Sequence, residues 1–432
     1  MRAGSYTVDR RPLAIPAFRR LWLASVVTAV GGSFSLIAIP TQLFTITGSS
    51  ATVGASAIVT FVALTVSSLW CGALADRMDR RRLLLFGQCG LAGTYLLLWA
   101  QAALHVRSVP LLFVLIAFEG VSYGATMATM GAAVPRIVPT DLLAAANSLS
   151  SLVRYLGAVL GPVLAGALLP LVGLSSLYLF DSVALTAVIW AVSRLPAIEP
   201  PPRDEAGAGA RATVVEIFDG FRYLWTRRIL VAVLGIDLAA MVFGLPVALF
   251  PELAERTFGG PPGGGTVLGL LYAAYPAGVL LAGLFSGTFT RARRHGVMLA
   301  GATMTWGVTV VVLGVAPNLA VALAALVLGG AANFLLSTYR NAITQAHSDD
   351  ALRGRVAGSL TVVLVGGPQA SVLLHGLSSA AVGPRWTIVV GGLLTVATVA
   401  LIVRLVSALW GYVPTAVPAP TVATSDGEAT RV

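Results

Sequence analysis

The stretch Gly72-Ala73-Leu74-Ala75-Asp76-Arg77-Met78-Asp79-Arg80-Arg81-Arg82 decides the fold class. It packs its charges into a few positions between two long apolar runs. Residues 51–75 before it carry no charge, and residues 83–106 after it carry none. A crossing of the hydrocarbon core takes about 20 apolar residues. The stretch therefore reads as a tight loop at a membrane surface, joining two spanning helices.

The rest of the chain extends that reading. Of 432 residues, 57% are hydrophobic and 11% are charged, whereas soluble domains carry about 25% charged residues. This composition predicts an all-α, multi-pass membrane protein with almost no soluble part. The 28 cationic residues are all Arg and give a net charge of +10. In a membrane protein such an excess belongs to cytoplasmic loops, so it does not argue for a nucleic-acid partner. The two cysteines, Cys71 and Cys89, sit in apolar surroundings and read as buried free thiols. The four histidines lack ligand spacing, so neither a metal nor another cofactor is expected. No cleavable signal pattern precedes the first apolar segment, which is expected to stay as a helix.

Apolar runs of bilayer length fall at 21–47, 51–75, 83–104, 110–134, 142–169 and 174–192. A second set falls at 229–254, 266–290, 297–315, 319–344, 356–379 and 386–410. The expected fold is thus twelve transmembrane helices in two groups of six. The expected division is an N-terminal bundle over 1–194, a linker over 195–228, a C-terminal bundle over 229–412 and a polar, disordered tail over 413–432. In the linker, Val214, Ile217, Phe218, Phe221, Leu224 and Trp225 recur at helical spacing, as in an amphipathic helix lying on a membrane surface. Arginines cluster before the first helix and in alternate loops, while the opposite loops hold only Arg107, Arg256 and Arg385. Both termini and the linker are therefore expected in the cytoplasm of a bacterial cell, with the chain in the cell membrane. Ile39-Pro40 pairs with Phe250-Pro251, Gly72 with Gly287 or Gly283, and Ala146 with Ala357, at offsets of about 211 to 215 residues. Such internal repetition is a feature of transporters.

The opening stretch, Gly72-Ala-Leu-Ala-Asp76-Arg77-Met-Asp79-Arg80-Arg81, resembles the signature of the major facilitator superfamily between its second and third helices, with Asp79 where that signature has Gly. Gly157-x-x-x-Gly161-Pro162-x-x-x-Gly166 is similar to the fifth-helix motif of its exporting antiporters. In the fourth helix, Ile116 and Glu119 stand where the superfamily signature has Arg and Gln. The narrower resemblance is to the enterobactin exporter branch and its macrolide-efflux relatives. It rests on Glu119-Gly120, Val153-Arg154-Tyr-Leu-Gly157, Gly220-Phe221-Arg222-Tyr223-Leu224 and Gly269-Leu270-Leu271-Tyr272, among others. The resemblance implies drug/proton antiport driven by the proton motive force, on a monomer that meets only its cargo and the bilayer.

Several residues are candidates for the mechanism. Gly72 reads as a close crossing of two helices. Asp76, beside Arg77, Arg80 and Arg81, reads as a latch made in one conformation and broken in another; the alternative is a loop whose arginines only anchor topology. Ionisable groups inside a membrane are costly and mark function by default. Glu119 and Arg154 fall at similar depth, roughly 15 to 18 Å from opposite ends of antiparallel helices. They read either as a structural ion pair or as a cavity site where cargo or proton competes. Asp237 reads as an isolated acid suited to proton exchange, or else as a solvated residue facing the cytoplasmic vestibule. Asp181 and Glu252 read as vestibule residues nearer the outer face, with Asp181 counted beside Glu119, Arg154 and Asp237 on the expected substrate and proton pathway. Gly157, Gly161, Pro162 and Gly166 read as small positions that admit a neighbour and bend their helix. Asn333, Gln369, His375, Tyr272, Tyr275 and Trp306 read mainly as interhelical packing.

The expected function is proton-coupled export of a siderophore or similar amphiphile by alternating access. Multidrug or macrolide efflux is the runner-up. Nutrient import and a non-transporting sensor follow. No nucleotide-binding loop or catalytic triad supports an enzyme.

Overall fold

With no water to meet free N–H and C=O groups, a chain in hydrocarbon must close its backbone hydrogen bonds within each segment. This chain does so with helices alone among the described residues. The computed structural model describes residues 9–31, 34–75, 78–195, 210–261, 263, 265–289, 292, 294–347 and 353–412. Asp76, Arg77 and the expected tail lie outside them. Among the described residues, ten helices are long and apolar enough to cross a membrane. Large apolar side chains such as Trp70, Phe86 and Leu401 stand exposed around the outside, an arrangement suited to lipid and not to water.

The helices are α1 (Pro16–Gly31), α2 (Ser35–Thr47), α3 (Ser50–Ala75), α4 (Arg80–Ala103), α5 (Val109–Ile137), α6 (Leu143–Ser193), α7 (Ala210–Thr226) and α8 (Arg228–Gly244). They continue as α9 (Gly265–Leu284), α10 (His295–Val315), α11 (Leu319–His347), α12 (Arg353–Val382) and α13 (Pro384–Leu405). Local chemistry sets their ends. Gly48, at φ 63°, closes α2 and donates its N–H to Phe44 O at 2.7 Å. Asp79 caps α4, its carboxylate accepting from the Arg81 N–H at 2.9 Å. That role accounts for an acid where the superfamily signature has Gly. Arg385 donates to Gly314 O and Ala316 O at 2.9 and 2.7 Å, satisfying carbonyls at the end of α10.

Two boundaries differ from the expected pattern in instructive ways. The run 21–47 is not one helix but α1 followed by α2. The run at 142–192 is one long α6 in hydrogen-bond terms, yet Gly173 (φ 76°, ψ 164°) interrupts its helical geometry at the expected junction. A residue other than Gly is strained at that φ.

Helices α1 and α3 to α6 pack among themselves, and α8 to α13 do likewise. The two groups meet along α3 against α12 and along α6 against α9, while α7 lies on α12, α8 and α3. One end of the bundle carries Arg20, Arg81, Arg194 and Arg228; at the other, Arg107, Arg256 and Arg385 are the described arginines. At the arginine-rich end, Arg81 Nη2 donates to Ser193 O, tying α4 to the end of α6, and Arg20 donates to Arg194 O at 3.4 Å.

The meeting of the groups is closest toward the arginine-poor end. A Cβ placed on Gly376 would stand 2.7 Å from Gly54 Cα, and one on Gly166 would stand 2.6 Å from Gly269 Cα. Only glycines permit such approach. At the positions of the fifth-helix motif, Gly157 meets Ala29 of α1 and Gly166 meets α9, with Gly161 and Pro162 buried between them. Gly72 does not. A Cβ there would meet nothing within 4 Å, because it sits at the arginine-rich end, away from these close approaches. The cysteines also differ from expectation, since Cys71 is half-buried and Cys89 exposed.

Candidate functional site

A cavity of about 190 Å³ lies between the two groups. Helix α2 supplies Ser35, α3 supplies Ser56 and Thr60, α5 supplies Glu119, α9 supplies Tyr272 and α12 supplies Gln369. Glu119 is the ionisable carboxyl group in this lining. Its Oε1 accepts a hydrogen bond from Tyr95 Oη of α4 at 3.1 Å. The side chain of Arg154, expected as its partner, lies outside the described residues.

The other intramembrane acids are held by the protein itself. Asp181 was expected in a vestibule, but it is fully buried. Its Oδ1 accepts from the Phe34 N–H at 3.2 Å and its Oδ2 from the Ser35 N–H at 2.5 Å, with the Ser35 hydroxyl as a further donor. These are orphan donors at the start of α2, where the positive end of a helix favours an anion. The broken first span and Asp181 therefore explain one another. Ser35 also borders the cavity, so the carboxylate stands one hydrogen bond behind the cavity wall.

Asp237 was expected to lack a partner. It is instead fully buried against Arg340 of α11, whose Nη1 lies 2.8 Å from Oδ1 and 3.0 Å from Oδ2. The rest of the guanidinium donates to Asn341 Oδ1 at 3.2 and 3.3 Å. Arg340 escaped the sequence reading although a signal was present: it is a lone Arg inside an apolar run, 103 residues from its partner.

Glu252, also expected in a vestibule, is buried and clasps the two groups at the arginine-poor end. It accepts from Ser50 Oγ of α3 at 2.6 Å, from Ser379 Oγ of α12 at 3.4 Å and from Arg256 at 2.8 Å. Arg256 in turn donates to Gly48 O at 3.3 Å and lies 5.3 Å from the centre of the Phe44 ring. Of the six residues assigned mainly to packing, Gln369 and Tyr272 line the cavity. His375 is buried against Ser371 at 3.1 Å, and Asn333 accepts weakly from Ser337 at 3.5 Å.

The cavity is lined by residues of both groups. Among the described residues, no three His, Cys, Asp or Glu side chains gather as metal ligands do. Residues 8–422 match the profile of the transmembrane secretion effector family, within the major facilitator superfamily. The chain belongs to this family.

Two relatives are named as enterobactin exporter EntS. The one from Shigella boydii is 28% identical over 369 residues, covering 84% of this chain and 86% of that protein. The one from Escherichia coli is 27% identical over the same shares. Among solved structures, a POT family transporter in complex with 5-aminolevulinic acid superposes with a TM-score of 0.69 at 12% identity, over 91% of this chain and 96% of that one. A bacterial homologue of the iron transporter ferroportin, in an inward-facing state, superposes with a TM-score of 0.66 at 16% identity, over 92% and 99%. These likenesses show the fold. The chain is a multi-pass membrane protein of a small-molecule transporter family.

Proposed function

We propose that the chain exports a siderophore or similar amphiphilic molecule by proton antiport and alternating access. The observation that carries this reading is the cavity between the two groups, with Glu119 as its ionisable carboxyl group, beneath an end closed by the Glu252 clasp and the glycine contacts.

On this reading the chain crosses the membrane twelve times. Helices α1 and α2 together make one pass, and the two arms of α6 about Gly173 make two. The bundles are 1–194 and 229–412, joined by the linker that carries α7. The arginine-rich end faces the cytoplasm with both termini, as the positive-inside rule requires. The conformation is then inward-facing, sealed toward the outside. The region about Gly72, open here, closes against its neighbours in the opposite conformation, with Asp76 and Arg77 forming the latch.

Cavity contact selects Glu119 as the carboxylate that exchanges proton for cargo. Asp181 and Asp237 already bind internal donors and serve the frame. A cavity of about 190 Å³ is smaller than the roughly 300–1,000 Å³ of ligand pockets for drug-sized molecules. A cargo of siderophore size therefore enters as the groups part further. The relatives named as enterobactin exporters favour a siderophore over a drug.

In inside-out vesicles carrying a proton gradient, Glu119→Gln is expected to abolish cargo accumulation while leaving insertion intact. Normal transport by that variant would end the assignment of Glu119. In iron-starved cells, deletion of the gene is expected to trap a catecholate siderophore inside. An unchanged siderophore balance together with new antibiotic sensitivity would replace the siderophore with a drug as cargo.

A further inference from the structure

A second chamber, also of about 190 Å³, opens within the C-terminal group of helices. Its walls include Phe250, Tyr275, Trp306, Val310, Leu313 and Leu326, and no carboxylate, Arg or His contributes to them. Leu36, Val247 and Tyr272 border both this chamber and the central cavity, so the two adjoin.

The aromatic walls of the chamber are closely packed. A Cβ on Gly244 would stand 2.2 Å from the Trp306 indole nitrogen, and one on Gly329 would stand 2.5 Å from the ring on its other side. The indole is thus wedged between two glycines, and its N–H donates to Ala240 O at 3.2 Å. Edge-to-face pairs fix two further walls. Tyr275 meets Trp306 and Phe250 meets Tyr272, each with ring centroids 5.2 Å apart.

Tyr272, which borders both spaces, carries a polar atom with unmet demand. Tyr272 is buried, and its hydroxyl has no hydrogen-bond partner. A buried hydroxyl left unpaired costs about 1–3 kcal/mol. A phenylalanine would build the same wall without that cost. The hydroxyl, which has almost no surface open to either space as it stands, gains a bond when a small turn of the ring brings it to a polar atom in the chamber.

We propose that this chamber is a cargo subsite for an uncharged ring or compact alkyl group that carries one hydrogen-bonding atom at its base. The apolar part enters between Trp306 and Phe250, the polar atom pairs with Tyr272 Oη, and the remainder of the cargo extends into the central cavity toward Glu119. An apolar protein cavity of about 150 Å³ holds benzene, so a singly substituted ring fits here. The inference rests on the transporter reading for its biological meaning. Its test is binding alone, so failure of Glu119→Gln to block transport would leave it standing.

The full chain in lipid nanodiscs is titrated with 4-fluorophenol and with 4-fluorotoluene, which replaces the hydroxyl by a methyl group, and binding is read by fluorine NMR against empty nanodiscs. Tyr272→Phe is expected to weaken 4-fluorophenol about 2- to 12-fold, the equivalent of one net hydrogen bond. The same change is expected to leave 4-fluorotoluene unchanged or tighter. Ala325→Phe and, separately, Val310→Phe fill the chamber and are expected to remove both probes, with retained helicity and melting as the check on folding. Unaltered 4-fluorophenol binding in a folded filling variant would overturn the proposal, and so would equal weakening of both probes by Tyr272→Phe.

Discussion

Replacing Arg340 by methionine removes the cation from a buried ion pair and keeps the length of the side chain. Asp237 is fully buried and the Arg340 side chain is 6% exposed, so solvent does little to screen them. Two unit charges about 4 Å apart attract by about 4 kcal/mol at an effective dielectric constant of about 20. Desolvating both ions offsets much of that gain, so the intact pair adds little net stability. Breaking it is another matter. Arg340→Met strands a carboxylate among apolar helices, and removing one partner of a buried pair costs about 3–5 kcal/mol. Replacing both partners, as in Asp237→Leu with Arg340→Met, is expected to recover most of that loss. Unfolding in mixed micelles, followed by tryptophan fluorescence across increasing denaturing detergent, measures all three variants. The reasoning fails if Arg340→Met stays within about 1 kcal/mol of the parent, or if the double variant is no more stable than the single one. Because Asp237 is already committed to Arg340, a transport defect in Asp237→Asn should track the stability defect and not exceed it.

Three further outcomes follow from contacts already described. Asp181→Ala leaves the Phe34 and Ser35 N–H groups without an acceptor and is expected to cost about 2–4 kcal/mol; Asp181→Asn keeps one acceptor oxygen and should recover part of it in the same unfolding assay. Gly269→Leu places atoms where Pro162 O and Gly166 Cα stand 2.5 and 2.8 Å from the Cβ position, so the arginine-poor end should no longer close. A thiol at Ser379→Cys, on a background lacking Cys71 and Cys89, would then label several-fold faster, and unchanged labelling would sink the idea. Gly72→Ala, with nothing within 4 Å of the new methyl group, should alter stability by no more than about 0.5 kcal/mol yet slow transport. Full transport by this variant would reject the latch.

That the chain is all-α and crosses a membrane many times was legible because apolar length is a property of composition. What escaped was anything that depends on two distant segments meeting. Asp237 stands alone in its own helix, and Arg340, 103 residues later, is the fact that changes its meaning. Asp181 has depth in the sequence but no direction, and only the break ahead of Ser35 shows what it binds. Glu252 follows a proline at the end of an apolar run, as a vestibule residue would; its burial comes from Ser50 and Ser379 on the other side of the seam. Gly72 misled for a related reason. A glycine in a sequence does not say which neighbour it admits, and at Gly72 a Cβ would meet nothing within 4 Å.

The seam at the arginine-poor end is made largely of backbone. Where Gly54 faces Gly376 and Gly166 faces Gly269, no side chain has a rotamer to lose when the surfaces meet. Glycine carries no side-chain ordering cost, whereas a long flexible side chain forfeits up to about 2 kcal/mol when it is fixed. A seal of interlocking long side chains would freeze each one on every closure and release it on every opening. In the proposed alternating-access cycle, a glycine seal avoids that toll in both directions, leaving the few polar contacts of Glu252 and Arg256 to set the balance between shut and open. Turnover could then be adjusted at two side chains without reshaping the helices that carry the load.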